Sequence, residues 1–355
     1  MVSRQSSLFQ SFRGDPTRLE CVHHIGSIDR SNTPLQTIVL AKTIMDFQLV
    51  EFQFQLKPQN YHFRTKPAHY IAHLIGHEGP GSLHSYLKQK GLIIRLSCGN
   101  QPQARGIDFF KISCFLTPAG FSKLIHAFCC AMSHTLAERY QEVVLAVCKY
   151  LNILRSTETF PEHLWHETQI LAETRFNYAE KRASDSYASA LSEIMSKPYP
   201  PELLLSAGSL LWDWDETLVR RTLAEIVPEN SRILLMARDF TIADLEPPQW
   251  DAERWYKTQY HVQRMDDAFL TASRQPNDLP ELFLPPQNDF IPDDLSVEKL
   301  EVEKPEPCPT LVRKTPLATL WHKKDDQFWV PKANVILYLR TPLAGLTPRH
   351  SVLTR

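Results

Sequence analysis

His69-Tyr70-Ile71-Ala72-His73-Leu74-Ile75-Gly76-His77-Glu78-Gly79-Pro80-Gly81-Ser82 is the stretch on which the reading of the fold turns. Pro67, just before it, suits the first turn of a helix, because its fixed φ is helical and its missing N–H is one that turn does not use. A helix is therefore expected from about Pro67 to His77. Gly79-Pro80-Gly81 breaks the chain, and shaping that turn is the role favoured for these three residues. Ser82 is placed to cap a second helix running to Lys90, with Gly91 where a left-handed C-cap residue is favoured. His73 and His77 stand four residues apart, so their rings share a helix face, and His69 extends the stripe. Two such nitrogens could ligate zinc. They could equally line a groove or pack as neutral imidazoles, and that reading is preferred.

Outward from this stretch, Val50 to Leu56 alternates, with Val50, Phe52 and Phe54 opposite Glu51, Gln53 and Gln55, the pattern of a half-buried strand. Leu92 to Ser97 and Phe109 to Thr117 read as further strands. Thr117-Pro118 starts a long, mostly helical region that is interrupted near Ser156 to Pro161 and ends at Lys197-Pro198-Tyr199-Pro200-Pro201. Asp215 to Ile226 reads as a helix, Arg232 to Ala237 as a short strand, and Val335 to Leu339 as one more. Trp212 and Trp214, and likewise Trp255 and Tyr256, are read as packing residues. Helices and strands in mixed order, without a repeated strand-helix-strand unit, give an α+β class. Residues 1–36 read as a poorly ordered arm and 276–320 as a Pro-rich linker.

Composition narrows the function classes. With 39 basic and 40 acidic side chains the net charge is -1, which gives no electrostatic reason to expect nucleic acid or an anionic membrane as partner. The seven cysteines form no C-x-x-C pair and no regular spacing, which argues against a disulfide framework or a zinc ribbon and for a reducing, cytoplasmic setting. The most apolar stretch, Leu124 to Ala137, is too short for a membrane span. No secretory leader is read at the amino terminus. The chain holds no G-x-S-x-G, and its cysteines sit in no nucleophile signature.

The stretch at 69–82 resembles the second domain of insulinase/pitrilysin-family zinc metallopeptidases, of the insulysin-like type that in fungi processes a-type pheromone. Further segments follow in that family's order. They are Met195-Ser196-Lys197-Pro198-Tyr199-Pro200, Arg254-Trp255-Tyr256-Lys257-Thr258-Gln259-Tyr260, Asn288-Asp289-Phe290-Ile291-Pro292 and Lys324-Asp325-Asp326-Gln327-Phe328-Trp329-Val330-Pro331-Lys332-Ala333-Asn334. The resemblance covers roughly Leu35 to Leu343. It implies an α+β insulinase-type domain over 37–275, an antiparallel sheet covered by helices, followed by the linker and the truncated start of a further such domain at 321–355. It also makes Leu124 to Arg139 an insertion and Ala344 to Arg355 a departure from the pattern.

Family members hold zinc through H-x-x-E-H in a first domain, where two His bind the metal and Glu activates water. His73-Leu74-Ile75-Gly76-His77-Glu78 and His163-Leu164-Trp165-His166-Glu167 place Glu after the second His, and neither is that motif. The resemblance thus implies a chain lacking the catalytic domain, with no metal or cofactor of its own and no cleavage when alone. Segment 69–82 instead resembles the family's exosite, which grips the amino-terminal end of a peptide substrate. Carried over by position, its residues are His69, His73, Gly76 and Glu78, with Leu96, Cys98 and Asn100 from the following strand, and Glu78 would meet the amine. Ala72 and Cys98 depart from the family, which often has Gly at both places. The implied partners are peptides or small unfolded polypeptides, and a full-length relative or a catalytic domain supplied in trans. The alternatives are a non-catalytic peptide-binding or scaffold module and the non-functional product of a decayed gene.

Overall fold

A computed structural model describes residues 35–104, 106–122, 139–241, 245, 247, 249–292, 294–299 and 304–353. The arm up to residue 34 and the insertion at 124–139, apart from Arg139, lie outside these residues. The chain divides into two compact units, one of Met1–Asn177 with Lys181–Asp289, the other of Tyr178–Glu180 with Phe290–Arg355.

The first unit is built in the order β1 (Thr37–Lys42), β2 (Leu49–Leu56), α1 (Pro67–Ile75), α2 (Leu83–Gln89), β3 (Ile93–Ala104), β4 (Ile107–Leu116), α3 (Pro118–Phe121), α4 (Arg139–Ser156), α5 (Glu162–Asn177), α6 (Ser184–Met195), α7 (Glu216–Glu225), β5 (Ser231–Ala237), β6 (Asp251–Ala252), β7 (Gln259–Arg264) and α8 (Asp267–Ser273). Its sheet runs β3-β4-β2-β5-β1-β7-β6. All pairings are antiparallel except β1 with β5, which lie parallel and are joined through β2, β3, β4 and most of the helices. The α+β reading holds, with this one parallel pair added to the antiparallel expectation.

Period two decides which face is buried. Val50, Phe52 and Phe54 of β2, Phe110, Ile112 and Cys114 of β4, and Ile233 and Leu235 of β5 point to one side and are at most 1% exposed. Against them pack Tyr70, Ile71, Leu74 and Ile75 of α1, Leu83 and Leu87 of α2, and Val143, Val147, Tyr150 and Leu151 of α4. Burying a large apolar side chain stabilises by about 1.5–3 kcal/mol, so this layer supplies most of the favourable term. The other face carries half-buried polar groups. Glu51 there accepts from Gln53 at 2.6 Å and Ser113 at 3.0 Å and faces Lys111 Nζ at 3.6 Å.

The local signals place the helix ends. Ser82 Oγ accepts from Ser85 N at 3.1 Å, Thr117 Oγ1 from Gly120 N at 2.9 Å, and Asp215 Oδ1 from Leu218 N at 2.9 Å. Gly81 has φ +78, and the Phe283 ring lies 2.4 Å from where a Cβ would stand, so the turn closes only with glycine. The helical region is broken at Ser156 and Pro161 as expected.

Two expectations fail. Val335 to Leu339 forms no strand: its five side chains are 70–88% exposed, and among the described residues no strand lies beside it, so apolar β-branched composition finds no ladder to join. Trp255 and Tyr256 do not pack inward. They are 75% and 90% exposed at the β6–β7 turn, where the Glu253 carboxylate accepts from their backbone N–H groups at 2.7 and 2.6 Å. Trp212 and Trp214 do pack, Trp214 against Tyr70 at 5.1 Å and Trp165 at 5.9 Å between ring centres.

In the second unit, β8 (Thr310–Lys314) and β9 (Thr319–His322) pair as a hairpin not read from the sequence, and α9 (Pro348–Leu353) follows. Asp325 gathers the loop after the hairpin by accepting from the N–H groups of Gln327, Phe328 and Val330 at 3.0, 2.9 and 3.2 Å.

The close approach of α3 to the strand entry gives a test. A Cβ on Gly120 would stand 2.0 Å from the Leu92 carbonyl oxygen, whereas one on Gly208 meets nothing within 4 Å. Gly120→Ala should cost about 1–3 kcal/mol by overpacking, and Gly208→Ala should stay within about 0.5 kcal/mol of the parent. Urea unfolding of the two variants side by side checks both.

Candidate functional site

The outer edge of β3 is unpaired among the described residues, because β3 is the last strand of its sheet. Pro102, which has no N–H to give a ladder, suits that position. A register shift between Ile93 and Arg95 rephases the strand. Ile93 is buried, Ile94 is 62% exposed, and from Leu96 onward the even-numbered side chains face the helices, with Leu96 and Cys98 packed on the core. The bulge is therefore what turns Leu96, Cys98 and Asn100 to the same side as α1.

Helix α1 brings the rest. His69 and His73 stand on it, Gly76 ends it, and Glu78 follows at the surface. Gly76 and Cys98 come together: Cys98 Sγ donates to Ala72 O at 3.0 Å and lies 3.3 Å from where a Cβ on Gly76 would be. Burial pushes the Cys98 thiol up to about 12, so it sits there as a neutral donor. Asn100 stands further along and is not part of this contact. Its Nδ2 donates to Asp108 Oδ2 at 2.8 Å, and the same oxygen accepts from Gln59 N at 3.0 Å.

The imidazoles are disposed to stay neutral. His69 keeps one side in solvent, yet the protein packed along its flank disfavours charge and Lys66, His73 and Arg175 add to the effect, lowering its pKa to about 4. Burial also lowers His73 and His77. Glu167 opposes the shift at both, and Glu78 opposes it at His77. Glu167 is the residue that sequence reasoning missed. It is 8% exposed on α5, bears electrostatically on His73 and His77, and accepts the N–H of Asn288 at 3.0 Å. In sequence it stands within His163–Glu167, whose order fails the zinc pattern, and nothing local says that it turns toward α1.

Two imidazoles at helical spacing beside a carboxylate invite a metal. Among the described residues, however, no three His, Cys, Asp or Glu side chains are grouped to hold one. Arg175 bears on His69 and His73, and one Glu167 oxygen already takes the Asn288 N–H. Zinc does not fit these residues. Nor, among the described residues, is any helix long and apolar enough to cross a membrane.

Comparisons with known proteins agree with this architecture. A family model described as "Peptidase M16 inactive domain" matches residues 6–158, and one described as "Middle or third domain of peptidase_M16" matches residues 176–355. The A-factor-processing enzyme of Saccharomyces cerevisiae is 29% identical over 321 residues, 90% of this chain and 29% of the yeast protein. Insulin-degrading enzyme of Bos taurus is 32% identical over 289 residues, 81% of this chain and 26% of its own. The chain thus spans less than a third of the length of the curated relatives it matches. The crystal structure of pitrilysin superposes with a TM-score of 0.68 at 24% identity, over 91% of this chain and 32% of the other.

The histidines set an acid limit. Their folded pKa values lie below the ordinary 6.5, so below that pH the unfolded chain binds more protons than the folded one. Stability therefore falls as pH falls below about 6.5, beginning above the range in which ordinary carboxylates titrate. The double change His69→Gln with His73→Gln should lose less stability than the parent between pH 7 and pH 5 in urea midpoints. An equal loss would mean that these rings do not set the slope.

Proposed function

Because this chain belongs to the M16 peptidase family, we propose that it is the substrate-holding half of such a peptidase, binding extended peptides without cleaving them by itself. The observation that supports the reading is the edge of β3, unpaired among the described residues, with Cys98 of that strand seated against Ala72 and Gly76 at the end of α1; His69, His73 and Glu78, with Leu96 and Asn100, complete the proposed site. An extended peptide laid along that edge gains backbone hydrogen bonds that β3 otherwise makes only to β4. Glu78, exposed and acidic, is the group for the peptide's terminal ammonium. The neutral imidazoles flank the peptide without repelling that charge.

The metal-dependent step belongs, in this reading, to a catalytic domain of the same family, acting with this chain in trans or as part of a longer polypeptide. Peptides and small unfolded polypeptides are the substrate class. A reducing intracellular setting is supported by Cys98, Cys114, Cys148 and Cys308, all free thiols.

Two measurements test this. A quenched fluorescent peptide incubated with the purified chain and zinc should show no hydrolysis that a chelator abolishes; chelator-sensitive turnover would defeat the non-cleaving reading. Binding of a peptide with a free amino terminus should survive chelation and weaken in Glu78→Gln by up to about fivefold, the worth of an exposed ion pair. An acetylated peptide should bind both proteins alike. Equal weakening for both peptides would remove Glu78 from the amine.

A further inference from the structure

One side chain closes the gap between α1 and the outer strand. The sulfur of Cys98 is tied to the carbonyl of Ala72 at 3.0 Å. A Cβ added to Gly76 would already stand 3.0 Å from that same carbonyl oxygen and 3.3 Å from the sulfur, closer than ordinary van der Waals contact. Gly76 itself is exposed, so the surface that an arriving strand meets here is a bare Cα with a sulfur beneath it. Leu96 and Asn100, two residues to either side, offer no comparable tie to α1.

A strand laid along an edge alternates its side chains between the two faces of the sheet. Every second side chain is directed to the α1 side, and the one that comes opposite Cys98 meets its sulfur, which the Ala72 carbonyl and the end of α1 hold in place. We propose that Cys98, seated on Ala72 and Gly76, is a specificity-determining residue of the peptide edge and restricts the incoming residue opposite it to glycine, alanine or serine. This rests on the peptide-edge reading above. It adds the substrate class: extended peptides with a small residue at one fixed register near the amino end, and no such demand at the register before or after.

The test is a positional scan. Hexapeptides with free amino termini, carrying Gly, Ala, Leu or Phe at each of the first four positions, are titrated against the unaltered chain and Cys98→Gly by fluorescence anisotropy. For the unaltered chain, one position should favour Gly and Ala over Leu and Phe by about tenfold, the scale of forcing extra methylenes into a filled site. In Cys98→Gly that preference should fall to about twofold or less, with Leu and Phe peptides gaining affinity. Should Cys98→Gly fold poorly, the scan on the unaltered chain still decides, because the absence of any discriminating position there overturns the proposal. Preferences that are the same in both proteins also overturn it, while leaving the edge reading intact. If no peptide binds either protein and none protects the β3 amides from hydrogen exchange, the edge reading fails and this inference falls with it.

Discussion

The first unit depends on how the last turn of α1 is held over the sheet. A helix leaves its final carbonyls without partners, and α1 has nine residues, too few to be stable alone. Three donors meet those carbonyls. The Tyr150 hydroxyl of α4 reaches Leu74 O at 3.1 Å inside the core, while Cys98 Sγ and Gly76 N both reach Ala72 O, at 3.0 and 2.8 Å. Tyr70, fully buried one turn before Leu74, sits edge-on to Phe160 and Trp214. Held from beneath and at its end, α1 keeps one orientation, and Glu167 of α5 bears on His73 and His77 of its His stripe.

What the sequence made legible follows from the range of each signal. Ser82, Thr117 and Asp215 cap helices through bonds to residues three positions on, so their reading needs nothing distant. The alternation of β2 was equally plain, because a central strand buried on one face writes its burial into every second residue. Signals that need a partner far along the chain misled or stayed silent. Val335 to Leu339 has strand composition but no neighbouring strand among the described residues, and β7 was overlooked because its Gln, His and Arg residues carry a weak pattern, while β1 supplies its ladder from more than two hundred residues away.

The site divides in the same way. Helical spacing made the stripe of His69, His73 and His77 readable, while the family resemblance alone supplied the candidate set of His69, His73, Gly76 and Glu78 with Leu96, Cys98 and Asn100. The bulge between Ile93 and Arg95, which turns Leu96, Cys98 and Asn100 toward the helix, shows no mark in composition, because Ile93 and Ile94 are the same residue with opposite fates. Glu167 was hidden for a different reason. A buried carboxylate is tolerated only where donors compensate it, and the donor it finds is the Asn288 N–H, far off in sequence.

That arrangement also explains why an i, i+4 pair of histidines need not imply a metal. A zinc site needs ligands that converge with lone pairs free, and a helix face can offer two. Here the carboxylate that bears on both rings has an oxygen committed to a backbone N–H, and Arg175 adds positive charge on the side where a dication would have to sit. The same groups suit a different task. In the peptide-holding role proposed above, the rings with lowered proton affinity add no positive charge of their own, and Glu78 stands exposed. An arriving ammonium would then meet the Glu78 carboxylate rather than charged imidazoles, while Lys66 and Arg175, which bear on the rings, oppose a dication more strongly than a single charge because the repulsion scales with the charge of the ion.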